Sequence, residues 1–327
     1  MKKIIITLCI AVSACTYANT VNLRPDAHAP IGVMADHMHH KHEIMVSHRF
    51  MVMQMNTLYN GTSKISELNV LSDYMMTPSS MQMSMHMLGA MWGYSDNITL
   101  TAMINYSSNE MSMINQMNAK SDMSSEGFGD LKIGAIFKVS ESSRDQIIVN
   151  SSLSVPVGSI DEENSDGNHL PYGMQLGSGT YDLNLGTTYT AHKHNYSYGA
   201  QLGFLCRLGT NSNDYSLGNQ YKLNAWAQKV WTNEISTSIR GTALFINDIE
   251  GEDSTLSAMV TSMSPLYSTN QGSIRGDIGF GINYYPKTTI LKGNRLAGEL
   301  NIPVFHHTDT INVVADSTIT FGIQRTL

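Results

Sequence analysis

One feature constrains this chain more than any other: apolar and polar residues alternate along most of its length. Over residues 181–189 the odd positions are Tyr181, Leu183, Leu185, Thr187 and Tyr189, and the even ones Asp182, Asn184, Gly186 and Thr188. The next segment repeats the pattern in the opposite phase, with Tyr196, Tyr198, Ala200, Leu202, Phe204 and Leu208 set against Ser197, Gly199, Gln201, Gly203 and Arg207. Residues 131–139, 274–284, 296–304 and 311–323 behave alike. In an extended chain successive side chains point to opposite faces. Period two over segments of about ten residues therefore predicts strands with one apolar and one polar face.

Beyond the first residues no apolar run approaches the roughly 18 needed for a membrane-spanning helix, which excludes a helical membrane protein and leaves a membrane barrel open. Short connections (94–97, 140–144, 192–195, 232–234, 286–294, 306–309) alternate with long polar ones (56–80, 110–126, 156–177, 209–218, 247–271). That alternation is the habit of outer-membrane barrels with tight periplasmic turns and long external loops. The expectation is an all-β fold, a single antiparallel up-and-down transmembrane barrel of about 12 strands, closed by residues 311–323 against the first strand. Only 14 % of residues are charged, and 20 Lys+Arg against 27 Asp+Glu give a net charge of −7, the wrong sign for a nucleic-acid partner.

The first residues read as an export signal: Lys2 and Lys3, an apolar core from Ile4 to Val12, then Thr16-Tyr17-Ala18 as a cleavage site. Val12-Ser13-Ala14-Cys15 also reads as a lipoprotein site with Cys15 acylated. Three segments are expected: a signal over 1–18, a His/Met-rich segment over 19–42 and an outer-membrane barrel over 43–327. Cys206 is then the one cysteine of the mature body, so neither an intramolecular disulfide nor a Cys-ligated zinc site is available.

The chain holds 22 Met and 12 His, crowded between His28 and Met123. Met34, Asp36, His37, Met38, His39, His40 and His42 form the candidate metal-binding set, because thioether selects Cu(I) and imidazole suits Cu(II), Ni and Zn. Met45, Met51, Met53 and Met55 share one parity in a first strand, and Met81, Met83, Met85, Met87 and Met91 in a second. Equal parity makes each set a row with thioethers about 7 Å apart along the chain. With Ile44, Val46, Leu88 and Trp92 toward lipid, both rows face the lumen and Met103 joins them. Met111, Met113, Met117 and Met123 extend the pattern into the following loop. Plain packing, metal binding and soft contact with an apolar ligand are all open for these rows. The His cluster reads equally as a solvated polar tail. The acidic run 161–168 is suggestive of calcium without matching its ligand spacing. There is no nucleophile elbow, so no catalytic residue is assigned and no enzyme is expected.

Three stretches carry a resemblance: Ala29-Pro30-Ile31-Gly32-Val33-Met34-Ala35-Asp36-His37-Met38-His39, residues 81–91, and Ser125-Glu126-Gly127-Phe128-Gly129-Asp130-Leu131-Lys132. They resemble the meta-pathway phenol-degradation or "transporter" family of bacterial outer-membrane barrels. The resemblance implies a barrel that passes small molecules; the family name suggests aromatic compounds, the motif residues metal. Ala35 stands where the family pattern leads one to expect glycine, and the chain ends in Leu327 where an outer-membrane barrel usually has an aromatic residue.

The leading expectation is an outer-membrane channel or transporter for small solutes whose Met/His-rich region binds a soft metal ion, copper foremost. Alternatives are a channel for small hydrophobic or aromatic compounds and a structural or receptor barrel without transport. The expected partners are outer-membrane lipid and a small-molecule or metal substrate; no cofactor is assigned, and a copper ion is the one candidate.

Overall fold

The computed structural model describes residues 24–259, 265–288 and 290–327. The expected signal segment, with Cys15, lies outside the described residues.

The wall of the molecule is built from β1 (Ile44–Gly61), β3 (Met76–Ser95), β4 (Ile98–Asn115), β6 (Leu131–Glu141), β7 (Asp145–Val155), β8 (Tyr181–Lys193), β9 (Tyr196–Leu208), β11 (Gln220–Val230), β12 (Ile235–Ile246), β14 (Ser273–Tyr284) and β15 (Asn294–Thr326). Each pairs antiparallel with the next, and β15 returns to pair with β1, so the sheet closes on itself. Two short strands extend this ring: β2 (Ser63–Ile65) on β1, and β5 (Lys120–Phe128) on the upper half of β4. A separate two-stranded sheet, β10 (Tyr215–Ser216) with β13 (Glu250–Gly251), ties two long loops together.

Eleven strand elements close the ring, yet a ring of antiparallel neighbours needs an even number of staves. The 33-residue β15 resolves the difference. Leu296 to Thr308 pair with β14 and Thr308 to Thr326 with β1, both antiparallel. Because β14 and β1 run in opposite senses around the alternating ring, the two halves of β15 do as well. His306 Nε2 accordingly lies 3.0 Å from the carbonyl of Ala315. The barrel thus has about twelve staves, as the alternation predicts.

The polarity is that of a membrane barrel. Val46, Leu88, Trp92, Leu100, Phe137, Leu202, Ile239, Phe280 and Phe321 point away from the lumen as an apolar belt. At the end with the short turns, Trp92 packs edge-on against Tyr94, and Lys229 lies 3.9 Å from the ring centre of Trp231, an aromatic fringe of the kind found at headgroup level. His48 and His86 also fall on the outer face, where their ring nitrogens meet at 3.1 Å and satisfy one another in apolar surroundings.

Two loop expectations need correcting. Residues 56–80 are not all loop: β1 runs on to Gly61 and β3 starts at Met76, with a short capped helix, α1 (Glu67–Leu71), between them. Residues 110–126 are largely strand, since β4 continues to Asn115 and β5 starts at Lys120, which puts Met111, Met113 and Met123 in the sheet. The cause is the same in both places. Beyond the apolar belt the outer face turns polar and the inner one carries methionines covered by the loops, so the ladder hydrogen bonds continue where the lipid-facing alternation has ended. β5 and β6 form one descending stave, broken at Gly129–Asp130 where the Gly129 amide bonds to the Asn105 carbonyl at 2.9 Å.

Candidate functional site

The N-terminal segment, residues 24–43, runs inside the barrel as a plug near the short-turn end. Polar side chains of the inward face grip its backbone carbonyls. Ser236 Oγ donates to Pro25 (2.8 Å), Gln228 Nε2 to His28 (2.8 Å), Arg295 Nη2 to Ala29 (2.6 Å) and Gln201 Nε2 to Met34 (2.7 Å). Ala29 and Val33 pack on Trp226, an aromatic that breaks the otherwise polar inner face of β11. Gly32 passes so close to the buried Arg240–Glu299 ion pair that any side chain there would strike both. The Pro30–Val33 turn, closed by a 2.9 Å bond from the Val33 amide to the Pro30 carbonyl, reverses the segment and returns residue 37 to residue 28.

That reversal assembles a cluster. His28 Nδ1 lies 3.1 Å from His37 Nδ1, which lies 2.9 Å from Asp36 Oδ1, while Asp36 Oδ2 accepts from the Ala29 amide at 2.7 Å. Burial, with His37 and Arg295 nearby, holds the His28 imidazole well below its usual value and therefore neutral. Burial also pushes His39 down to about 3, helped by His37. For Asp36 burial acts upward, but the charge and hydrogen bond of His37 outweigh it and hold the carboxyl well below the usual range.

The expected metal set is thereby divided. Asp36, His37 and His39 are inside, with the ring of His39 5.0 Å from that of His37. His40 and His42 sit on the outer turn, where His40 faces Asp96 at 3.7 Å. The Met34 sulfur meets Arg49, and Met38 is half-buried. Sequence reading missed His28, whose available signal was the Pro30–Gly32 turn between it and the cluster.

Above the plug is a cavity of about 320 Å³. Its wall carries the thioethers of Met34, Met45, Met87, Met91 and Met103 beside Arg49, Lys132 and Lys222, with Asp36 and His37 at its floor. The Met rows face each other in register across β1 and β3: Met45 opposite Met91, Met51 opposite Met85, Met53 opposite Met83 and Met55 opposite Met81. The ladder continues through Met81–Met111 and Met111–Met123. Its two ends differ in surroundings. Toward the turns the sulfurs line the cavity, whereas toward the loops Met55, Met81, Met111 and Met113 are buried against Val70, Leu170, Met174 and Leu266 from the long connections. Met53 and Met83 pack on that same cluster.

Those connections form a lid. A second cluster of Tyr172, Tyr215, Ile249, Leu256 and Tyr267 joins three of them. Residues 156–180 are fastened to the wall by the 125–132 motif: Ser125 Oγ donates to the Met174 carbonyl (2.6 Å), and Asp130 accepts from the Gly158 amide (3.1 Å) and from the Ser178 amide and hydroxyl (3.0 and 2.8 Å). The acidic run 161–168 is a surface turn in which Asp161 accepts from Asn213 at 2.9 Å. Arg49, Lys222, Trp226 and Arg240 were not singled out from sequence, and Asp130 and Lys132 only as part of the 125–132 stretch. Each sits at the parity of the polar face, but parity does not show which of them converge.

No family model matches the chain, and no curated protein matches its sequence. Solved structures do resemble it. An outer membrane channel from Pseudomonas putida F1 aligns with a TM-score of 0.62 and 13 % identity over 89 % of this chain and 97 % of that one. A FadL homologue of Pseudomonas aeruginosa aligns at 0.41, with 8 % identity over 87 % and 90 %, and the P. putida toluene transporter TodX at 0.40, with 7 % identity over 87 % and 89 %. At such identities the likeness is one of fold. With the first of them it is a closed antiparallel β-barrel, and the apolar belt of this chain is that of a barrel set in a membrane.

Proposed function

We propose that this barrel is a passive channel for small solutes, closed by its plug and lid, and that its cavity favours small organic anions with an apolar body. One observation carries the reading: Arg49, Lys132 and Lys222 face the same cavity as four strand thioethers. Neither lysine joins an ion pair among the described residues. A unit charge 4 Å from an opposite one gains about 4 kcal/mol at the effective dielectric of about 20 typical near protein surfaces, so three cations against the carboxylate of Asp36 at the floor leave the cavity net positive and favour an anionic solute. The sulfurs add a deformable apolar wall, each aromatic contact being worth about 0.3–1.5 kcal/mol.

Passage of copper along the sulfur ladder is the second reading, favoured by the cross-strand pairing of the Met rows. The same three cations oppose it with energies of similar size.

Proteoliposomes preloaded with benzenesulfonate, phenyltrimethylammonium or a Cu(I) complex separate the two. The organic-anion reading predicts release of the sulfonate about tenfold faster than that of the cation of like shape. Equal release of both, or release of neither, contradicts it, and faster release of copper supports the second reading instead.

A further inference from the structure

The cluster inside the plug has a chemistry that solute passage does not use. His28 Nδ1, His37 Nδ1 and Asp36 Oδ1 converge at 3.1 and 2.9 Å, and one ligand atom from each of the three residues lies within 4.8 Å of the others. A single proton on His37 Nδ1 serves only one of two acceptors well, so hydrogen bonding alone does not account for the convergence. Tetrahedral coordination does: with bonds of about 2.0–2.1 Å, ligand atoms stand about 3.3 Å apart. Beside the cluster the ring of His39 lies 5.0 Å from that of His37, and its Nε2 is buried without a hydrogen-bond partner. The carboxylate is also oriented from behind by the Ala29 amide on Asp36 Oδ2, the kind of outer support that metal ligands use.

The donor set selects the ion. Two imidazoles and one carboxylate suit a borderline divalent ion, whereas calcium or magnesium needs several oxygens. Arg49 and Arg295 lie near the cluster and disfavour a site that depends on charge alone. The cluster borders the cavity, since Asp36 and His37 line its floor.

We propose that His28, Asp36 and His37 bind a borderline divalent cation, Zn(II) or Cu(II), which staples the two limbs of the plug together inside the barrel. The staple closes the loop 29–35, whose backbone is the part gripped by Gln201, Glu299 and Arg295. It is independent of which solute crosses the channel.

The test is calorimetric titration of the purified full barrel in detergent with ZnCl₂, CuCl₂ and, as a control, MgCl₂. The variants are H28A/H37A and H40A/H42A, each checked for a folded barrel by heat-modifiable gel mobility. The expected result is a saturable site for Zn(II) or Cu(II) that weakens at least about a hundredfold in H28A/H37A and is unchanged in H40A/H42A. Zn(II) or Cu(II) is also expected to slow amide exchange at Val33 in the wild type. Absence of binding by the wild type overturns the proposal, as does binding that follows His40 and His42 or that Mg(II) matches.

Discussion

Ala35 adopts a φ of 52°, in the left-handed region where a Cβ costs about 1–2 kcal/mol. It sits between Met34, whose carbonyl is held by Gln201, and Asp36 of the His cluster, so the strain lies at the centre of the plug. The replacement Ala35→Gly removes the strain at some cost in chain entropy, for a net gain of about 0.5–1 kcal/mol in plug docking. The measurement is hydrogen exchange at Val33 and His39, whose amides bond to Pro30 and to Thr99 within and beside the plug. Protection is expected to rise about two- to fivefold, and a fall would contradict the account. At this scale the faces were legible in the sequence. Arg295, Glu299 and Lys132 fall on the polar parity and Leu296, Leu300 and Ile133 on the apolar one. Convergence was not legible, because His28 reaches His37 only through a turn whose geometry no periodicity encodes.

The elements divide into strands that sequence reveals and connections that it hides. The strands β8, β9, β14 and the two halves of β15 alternate cleanly because lipid lies on one face and polar lumen on the other. The upper parts of β1, β3 and β4 lose that contrast: Met55, Met81 and Met111 are buried beneath loops, and serine and asparagine stand on the outer side. The stretch Gly127–Lys132 reads as a plain strand start, yet its Gly129–Asp130 break is what lets Asp130 fasten the lid. The lid has a titratable joint. Burial raises the Asp253 carboxyl, but bonds from Thr255 and His169 outweigh this and hold it below its usual value of about 3.9. A carboxyl lowered on folding stabilises above its unfolded pKa and ceases to do so as pH falls through the folded one. Protection of amides 249–257, corrected for intrinsic rates, is therefore expected to be full at neutral pH and to decline below about pH 4. In Asp253→Asn the acid-dependent step is expected to disappear, and an unchanged step would assign it to another group.

For the whole molecule, closure and contents follow from one partition of side chains. The outward belt suits hydrocarbon, and the closed ladder leaves no unpaired edge within it, since β15 returns to β1 and the Leu327 amide bonds to the Ile44 carbonyl at 2.7 Å. Inside, the plug and the lid bound a space where thioethers and three cations meet. As proposed above, these cations set which ions pass, and the zero-current potential of the reconstituted channel across a potassium chloride gradient reads this directly. The wild type is expected to show the potential of an anion-selective pore. Lys132→Glu combined with Lys222→Glu is expected to move that potential toward cation selectivity. A cation-selective wild type, or a potential indifferent to both substitutions, would contradict the account.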